Sequence, residues 1–85
     1  MQNERLAYYR IAGDCFREVE EYQQAARAYQ SAEEFTRSAQ CYRKAGLFDD
    51  AVNIVQCHRD RMKEVDAENI IDVAKIHYFR QHQTE

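Results

Sequence analysis

The sequence predicts an all-α fold of antiparallel helical-hairpin repeats, with about five helices, and three observations carry that expectation. The 85 residues contain no proline and only two glycines, too few for a loop-rich or sandwich fold. Good helix formers, Gln, Glu, Arg and Ala, dominate the composition. Aromatic and small residues return at a fixed interval: Tyr22, Phe35 and Phe48 stand 13 apart, as do Ala25, Ser38 and Ala51, and Ala26, Ala39 and Val52.

The first helix is expected over residues 4–18, with Asn3 as its N-cap, where a side-chain oxygen can accept from an unpaired first-turn N–H. Leu6, Tyr9, Ala12, Gly13 and Phe16 recur at steps of three and four and so share one stripe. Residues 21–32 carry Tyr22, Ala25, Ala26, Tyr29 and Ala32 in the same way. Residues 35–45 carry Phe35, Ser38, Ala39, Tyr42 and Ala45. A fourth helix over residues 48–61 carries Phe48, Ala51, Val52 and Val55. Lys63, Glu64 and Val65 read as a linker, and Asp66 as the cap of a fifth helix over residues 67–81. The last four residues read as a frayed tail.

The joins are short: Val19 and Glu20, Glu33 and Glu34, Gly46 and Leu47. Connections of that length return the chain antiparallel. One unbroken rod is the alternative, and the 13-residue interval argues against it. Thirteen residues turn an α-helix through about 1,300°, some 140° short of a whole number of turns. Equivalent residues would drift round a single rod, whereas in separate short helices each keeps its place on one face.

The run Tyr9, Ala12, Gly13, Phe16, Glu20, Tyr22, Ala25, Tyr29, Ala32 resembles one tetratricopeptide (TPR) unit, with small and aromatic positions in that family's order. Phe35, Ser38, Ala39, Tyr42, Gly46, Phe48, Ala51 and Val55 resemble a second. The copies begin 26 residues apart, at Tyr9 and Phe35, against about 34 in the usual unit. No proline closes them, Ser38 stands where a larger apolar residue is usual, and His58 where a small one is. Short hairpins of this kind are similar to those of vesicle-fusion, coat and trafficking proteins, and to repeats beside the helicase-like module of large TPR-and-ankyrin proteins. Residues 1–62 then form two hairpins, and residues 63–85 a linker and a helix that packs on the array or on a further repeat. The broad apolar band of that helix implies a segment of a longer array, in which Ile70, Ile71 and Phe79 meet another repeat or a second copy of the chain.

Chemistry is hard to find. A net charge of −3 supplies no basic footprint for nucleic acid. No apolar run approaches the ~20 residues of a membrane span, and the start lacks the pattern of a secretory leader. Three cysteines, Cys15, Cys41 and Cys57, without C-x-x-C spacing, read as reduced thiols of an intracellular, cytoplasmic chain. Cys57 and His58, or His77 and His82, are wrongly spaced to share a tetrahedral metal on one helix face, so neither metal nor cofactor is expected. The acidic pairs Glu20 and Glu21, Glu33 and Glu34, Asp49 and Asp50 fall at turns and helix starts, where negative charge complements the helix dipole. Phosphate loops, nucleophile elbows and zinc-protease motifs are missing, and no enzyme is expected.

A binding face remains. In the family, the first helix of each hairpin lines a concave groove, which by resemblance assigns Arg10, Asp14 and Arg17, then Gln40, Arg43 and Lys44. Arg17, Arg43 and Lys44 would form a basic strip suited to an acidic peptide or carboxylate of a protein partner. The family's carboxylate clamp pairs Lys with Asn, and Arg10 and Asp14 at those places do not reproduce it. The resemblance implies a protein-interaction or scaffolding module. The alternative is a purely architectural segment of a large ATP-driven or vesicle-trafficking protein.

Overall fold

The computed structural model describes residues 2–83, with side chains from Glu4 onward. Five α-helices follow one another: α1 Gln2–Glu18, α2 Tyr22–Ser31, α3 Phe35–Lys44, α4 Phe48–His58 and α5 Glu64–Gln83, with a 3-10 turn at Arg59–Arg61. No strand occurs among the described residues. Each of the first four helices packs on its neighbour in sequence, and α5 lies against both α4 and α3. The whole measures 50 × 29 × 16 Å.

The 13-residue interval is built by one turn used three times. Glu20, Glu33 and Gly46 adopt left-handed φ angles of 62°, 59° and 79°. At each, the left-handed N–H bonds back to the carbonyl three residues before it: Arg17, Gln30 and Arg43, all at 3.0 Å. The following N–H, of Glu21, Glu34 or Leu47, reaches the carbonyl of Phe16, Tyr29 or Tyr42 at 2.9 Å. This paired closure satisfies carbonyls that a helix end otherwise leaves open. The next helix starts at once, with Glu21, Glu34 and Leu47 as N-caps that make no side-chain bond. The unit that repeats is therefore one helix plus one turn, and the joins before and after α2 are alike.

Only Gly46 relieves the left-handed backbone; Glu20 and Glu33 carry a Cβ there, at a cost of about 1 kcal/mol each. Glu20→Gly and Glu33→Gly are each expected to raise the free energy of unfolding by about 0.5–1 kcal/mol. Gly46→Ala should lower it by about 1 kcal/mol. An added Cβ at Gly46 meets nothing within 4 Å, so that loss is backbone strain alone. Urea midpoints of the three variants measure this directly.

Small residues set the spacing between helices. A Cβ placed on Gly13 would stand 2.8 Å from the Tyr29 ring, so α1 and α2 meet where only hydrogen fits. Ala25, Ala26, Ala39 and Ala51 are all fully buried. Ser38 is buried too, and its hydroxyl donates to the Ala26 carbonyl at 2.8 Å, which offsets the desolvation of a polar side chain. Tyr42 is buried with its hydroxyl turned to Gln30 Oε1 at 3.2 Å. His58, unusual for its place in the repeat, stacks on Phe35 with ring centroids 3.7 Å apart.

After His58 the interval lapses. The 3-10 turn ends at Met62, which is extended and buried, and the Arg59 guanidinium grips Glu64 with Nε 3.2 Å from both carboxylate oxygens. That bond holds the Glu64 carboxyl below its usual range. α5 thus opens at Glu64, where a linker through Val65 was expected, and Asp66 lies within its first turn instead of capping it. The cap expected at Asn3 rests on a side chain outside the described ones, and α1 itself begins at Gln2. The helix continues through His82 and Gln83, where fraying was expected; Thr84 and Glu85 lie outside the described residues.

The surface expected at Ile70, Ile71 and Phe79 is also corrected. Ile70 is 2% exposed and part of the core, between Ala67 and Ala74, which let α5 approach closely. Ile71 is half-buried against the core, and of the three only Phe79, with Val65 and Ile76, faces outward. Farther along, His77 stacks on Phe48 at 4.2 Å and the Tyr78 hydroxyl donates to Asp49.

Candidate functional site

The side chains that meet between α1, α2 and α3 centre on Tyr29. Its ring is fully buried over Gly13, and its hydroxyl donates to Asp14 Oδ1. The same carboxylate oxygen lies 3.7 Å from Arg17 and 4.0 Å from Arg37. The two guanidinium carbons stand 5.9 and 6.0 Å from the Tyr29 ring centroid, within reach of a cation–π attraction. Arg37 on α3 therefore reaches the carboxylate that α1 presents, and both helices lie against one side of α2.

Burial, then the bond to Asp14 and that carboxylate's charge, push the Tyr29 hydroxyl up to about 12, opposed by Arg17. Tyr29 is thus a fixed donor. Burial likewise raises the Cys41 thiol, against the pull of Arg17 and Lys44. A buried, protonated thiol is a packing residue with little nucleophilic character. All three cysteines are free thiols.

The six residues assigned by resemblance fall in three places. Asp14 and Arg17 join the Tyr29 cluster. Gln40 faces α5, its Nε2 donating to Asp66 at 3.4 Å. Lys44 sits 5.5 Å over the Tyr22 ring, on α2. Arg43, half-buried, shares the last turn of α3 with Lys44. Arg10 lies apart, with Leu6, Ala7, Ala32 and Glu34 around a shallow hollow. Arg17 and Lys44 are each engaged with an aromatic ring of α2, and Arg17 with a carboxylate as well.

Gln40 also borders an opening whose other walls the 13-residue pattern does not bring together. A cleft of about 610 Å³ lies between the start of α3, the 3-10 turn and the start of α5, with Thr36, Arg37, Gln40, Arg61, Lys63 and Asp66 among its walls. Glu34 and Asp60 complete three acidic and three basic groups, so the cleft is charged but balanced. Arg61 was expected to end the fourth helix. The 3-10 turn instead folds it back, 2.7 Å from Glu33 and 5.0 Å over the Phe35 ring. Nothing in the 13-residue pattern marks this return, because the pattern stops before it begins.

Among the described residues, no His, Cys, Asp and Glu side chains gather in a group of three or more that could hold a metal. None of their helices is long and apolar enough to cross a membrane. No protein-family model, curated protein or solved structure matches the chain.

Proposed function

We propose that this chain is a TPR-like protein-interaction module, a stack of short antiparallel helices that holds a segment of a partner protein and acts by binding, not catalysis. The observation that carries the reading is the cleft beside Gln40. Its walls come from α3, the 3-10 turn and α5, which the core already fixes through Phe35, Met62 and Ala67. A partner settling there loses its own freedom while the chain loses little. Arg37, Arg61 and Lys63 face Glu34, Asp60 and Asp66 in that space, a pattern suited to an extended peptide of mixed charge whose acidic side chains meet Arg37. Three free thiols agree with work inside the cell, in the cytoplasm.

A photoreactive side chain at Thr36, in the cleft, should trap a partner that the same group at the exposed Gln56 does not. Arg37→Glu should weaken that capture about tenfold or more with helicity unchanged by circular dichroism. Capture of the same proteins from both positions, indifferent to Arg37, would overturn the reading and favour a purely architectural segment.

A further inference from the structure

Three cations of α1 and α3 are held over tyrosine rings of α2. Arg17 and Arg37 share the Tyr29 ring, their guanidinium carbons 5.9 and 6.0 Å from its centroid, and Lys44 Nζ lies 5.5 Å from that of Tyr22. Arg17 and Lys44 both bear on the Cys41 thiol, so they belong to one positive field. The carboxylate that answers the arginines is Asp14, whose Oδ1 lies 3.7 Å from Arg17 and 4.0 Å from Arg37. Those distances are too long for hydrogen bonds, and the oxygen already accepts from Tyr29. A ring attracts a cation by its quadrupole and consumes no N–H donor. Both guanidinium forks, nearly half exposed, therefore keep donors for an acceptor from outside, on side chains that the ring has already placed.

Two forks that converge on one point call for an anion with more oxygens than a carboxylate. A phosphate monoester brings three, with a charge of about −1.5 to −2. A diester, as in a nucleic-acid backbone, offers two free oxygens and a single charge, no more than a carboxylate does. Arg37 also walls the cleft beside Gln40, so an anion between Arg17 and Arg37 lies at the edge of that opening. We infer that Arg17 and Arg37 clamp the phosphate monoester of a phosphorylated side chain in the partner segment that the cleft holds. Lys44, in the last turn of α3, adds attraction from beside them. Binding to the module proposed above, on which this clamp rests, then depends on phosphorylation of the partner.

The probe is N-acetyl-O-phosphoserine amide, titrated into the isotope-labelled chain with the arginine Nε–H resonances as readout. Those of Arg17 and Arg37 should shift to saturation, with an affinity about fivefold or more above that for N-acetylglutamic acid amide. Arg17→Gln, outside the cleft walls, should lose that preference with the fold intact by circular dichroism, and Lys75→Gln on α5 should keep it. Photocapture from Thr36 finds the source of the phosphate. It should fall about tenfold when the partner extract is treated with phosphatase, and equally with Arg17→Gln. No shift at the two arginines, or equal affinity for the two small anions, would overturn the clamp. So would capture that survives both phosphatase and Arg17→Gln, which leaves the interaction module standing without a phosphate. Phosphoserine binding without any capture would make a free anion the ligand and overturn both readings.

Discussion

Tyr29→Ala is expected to lower the free energy of unfolding by about 3–5 kcal/mol, enough to leave a domain of this size largely unfolded. Tyr29 is the largest of the fully buried side chains, and it ties three helices at once. Its ring covers Gly13 on α1, its hydroxyl holds Asp14, and Arg37 of α3 approaches its face. Truncation leaves a cavity bordered by glycine, which has no side chain to move into it, and leaves Asp14 without its donor. Phe16→Ala removes the equivalent ring on α1, where it is 37% exposed, and should cost only about 1 kcal/mol. Urea denaturation of the two variants, followed by circular dichroism, checks the contrast. Equal losses would mean that Tyr29 does not link the helices.

Alkaline pH should cost the wild-type chain about 2–3 kcal/mol through Tyr29 alone. The hydroxyl titrates near 10 in an unfolded chain and at about 12 in the folded one. Its contribution is whole below pH 10. Between about pH 10 and 12 the unfolded chain gives up the proton while the folded chain keeps it, so unfolding becomes progressively easier. Tyr42 and Tyr78 are raised as well, and add losses of the same sign. Comparison with Tyr29→Phe isolates the first contribution, since the variant keeps the ring and lacks the proton. The pH dependence of its unfolding free energy in that window should be shallower by close to one proton. Identical slopes would show that neither burial nor the Asp14 bond raises the tyrosine.

Asp14 and Arg17 were legible as polar positions on α1, and their meeting with Arg37 was not, because a pair on α1 and α3 depends on the side of α2 against which both lie. Gln40 was legible, but its neighbours Arg61, Lys63 and Asp66 come from a stretch without the repeat. Their convergence follows from a 3-10 turn and an extended Met62 that no composition marks. Tyr9, Ala12 and Phe16 were legible as one stripe of α1, yet only coordinates show that Phe16 stays 37% exposed while Tyr9 and Ala12 are half-buried.

The sequence by itself determined much of the local structure of the first 58 residues: four helices, the three short turns between them and the buried Ala25, Ala26, Tyr29, Ser38, Ala39 and Tyr42, although the fourth helix stops at His58 and not at residue 61. Those features come from interactions within one helical turn, carried by residue size and a 13-residue interval, and they need no distant partner. Tertiary structure alone decided how α5 lies, taking Ile70 into the core and leaving Phe79 outside, for both are apolar and alike in pattern. A broad apolar helix has several faces that could be buried, and the choice falls to the one where Ala67 and Ala74 allow the closest approach to α3 and α4.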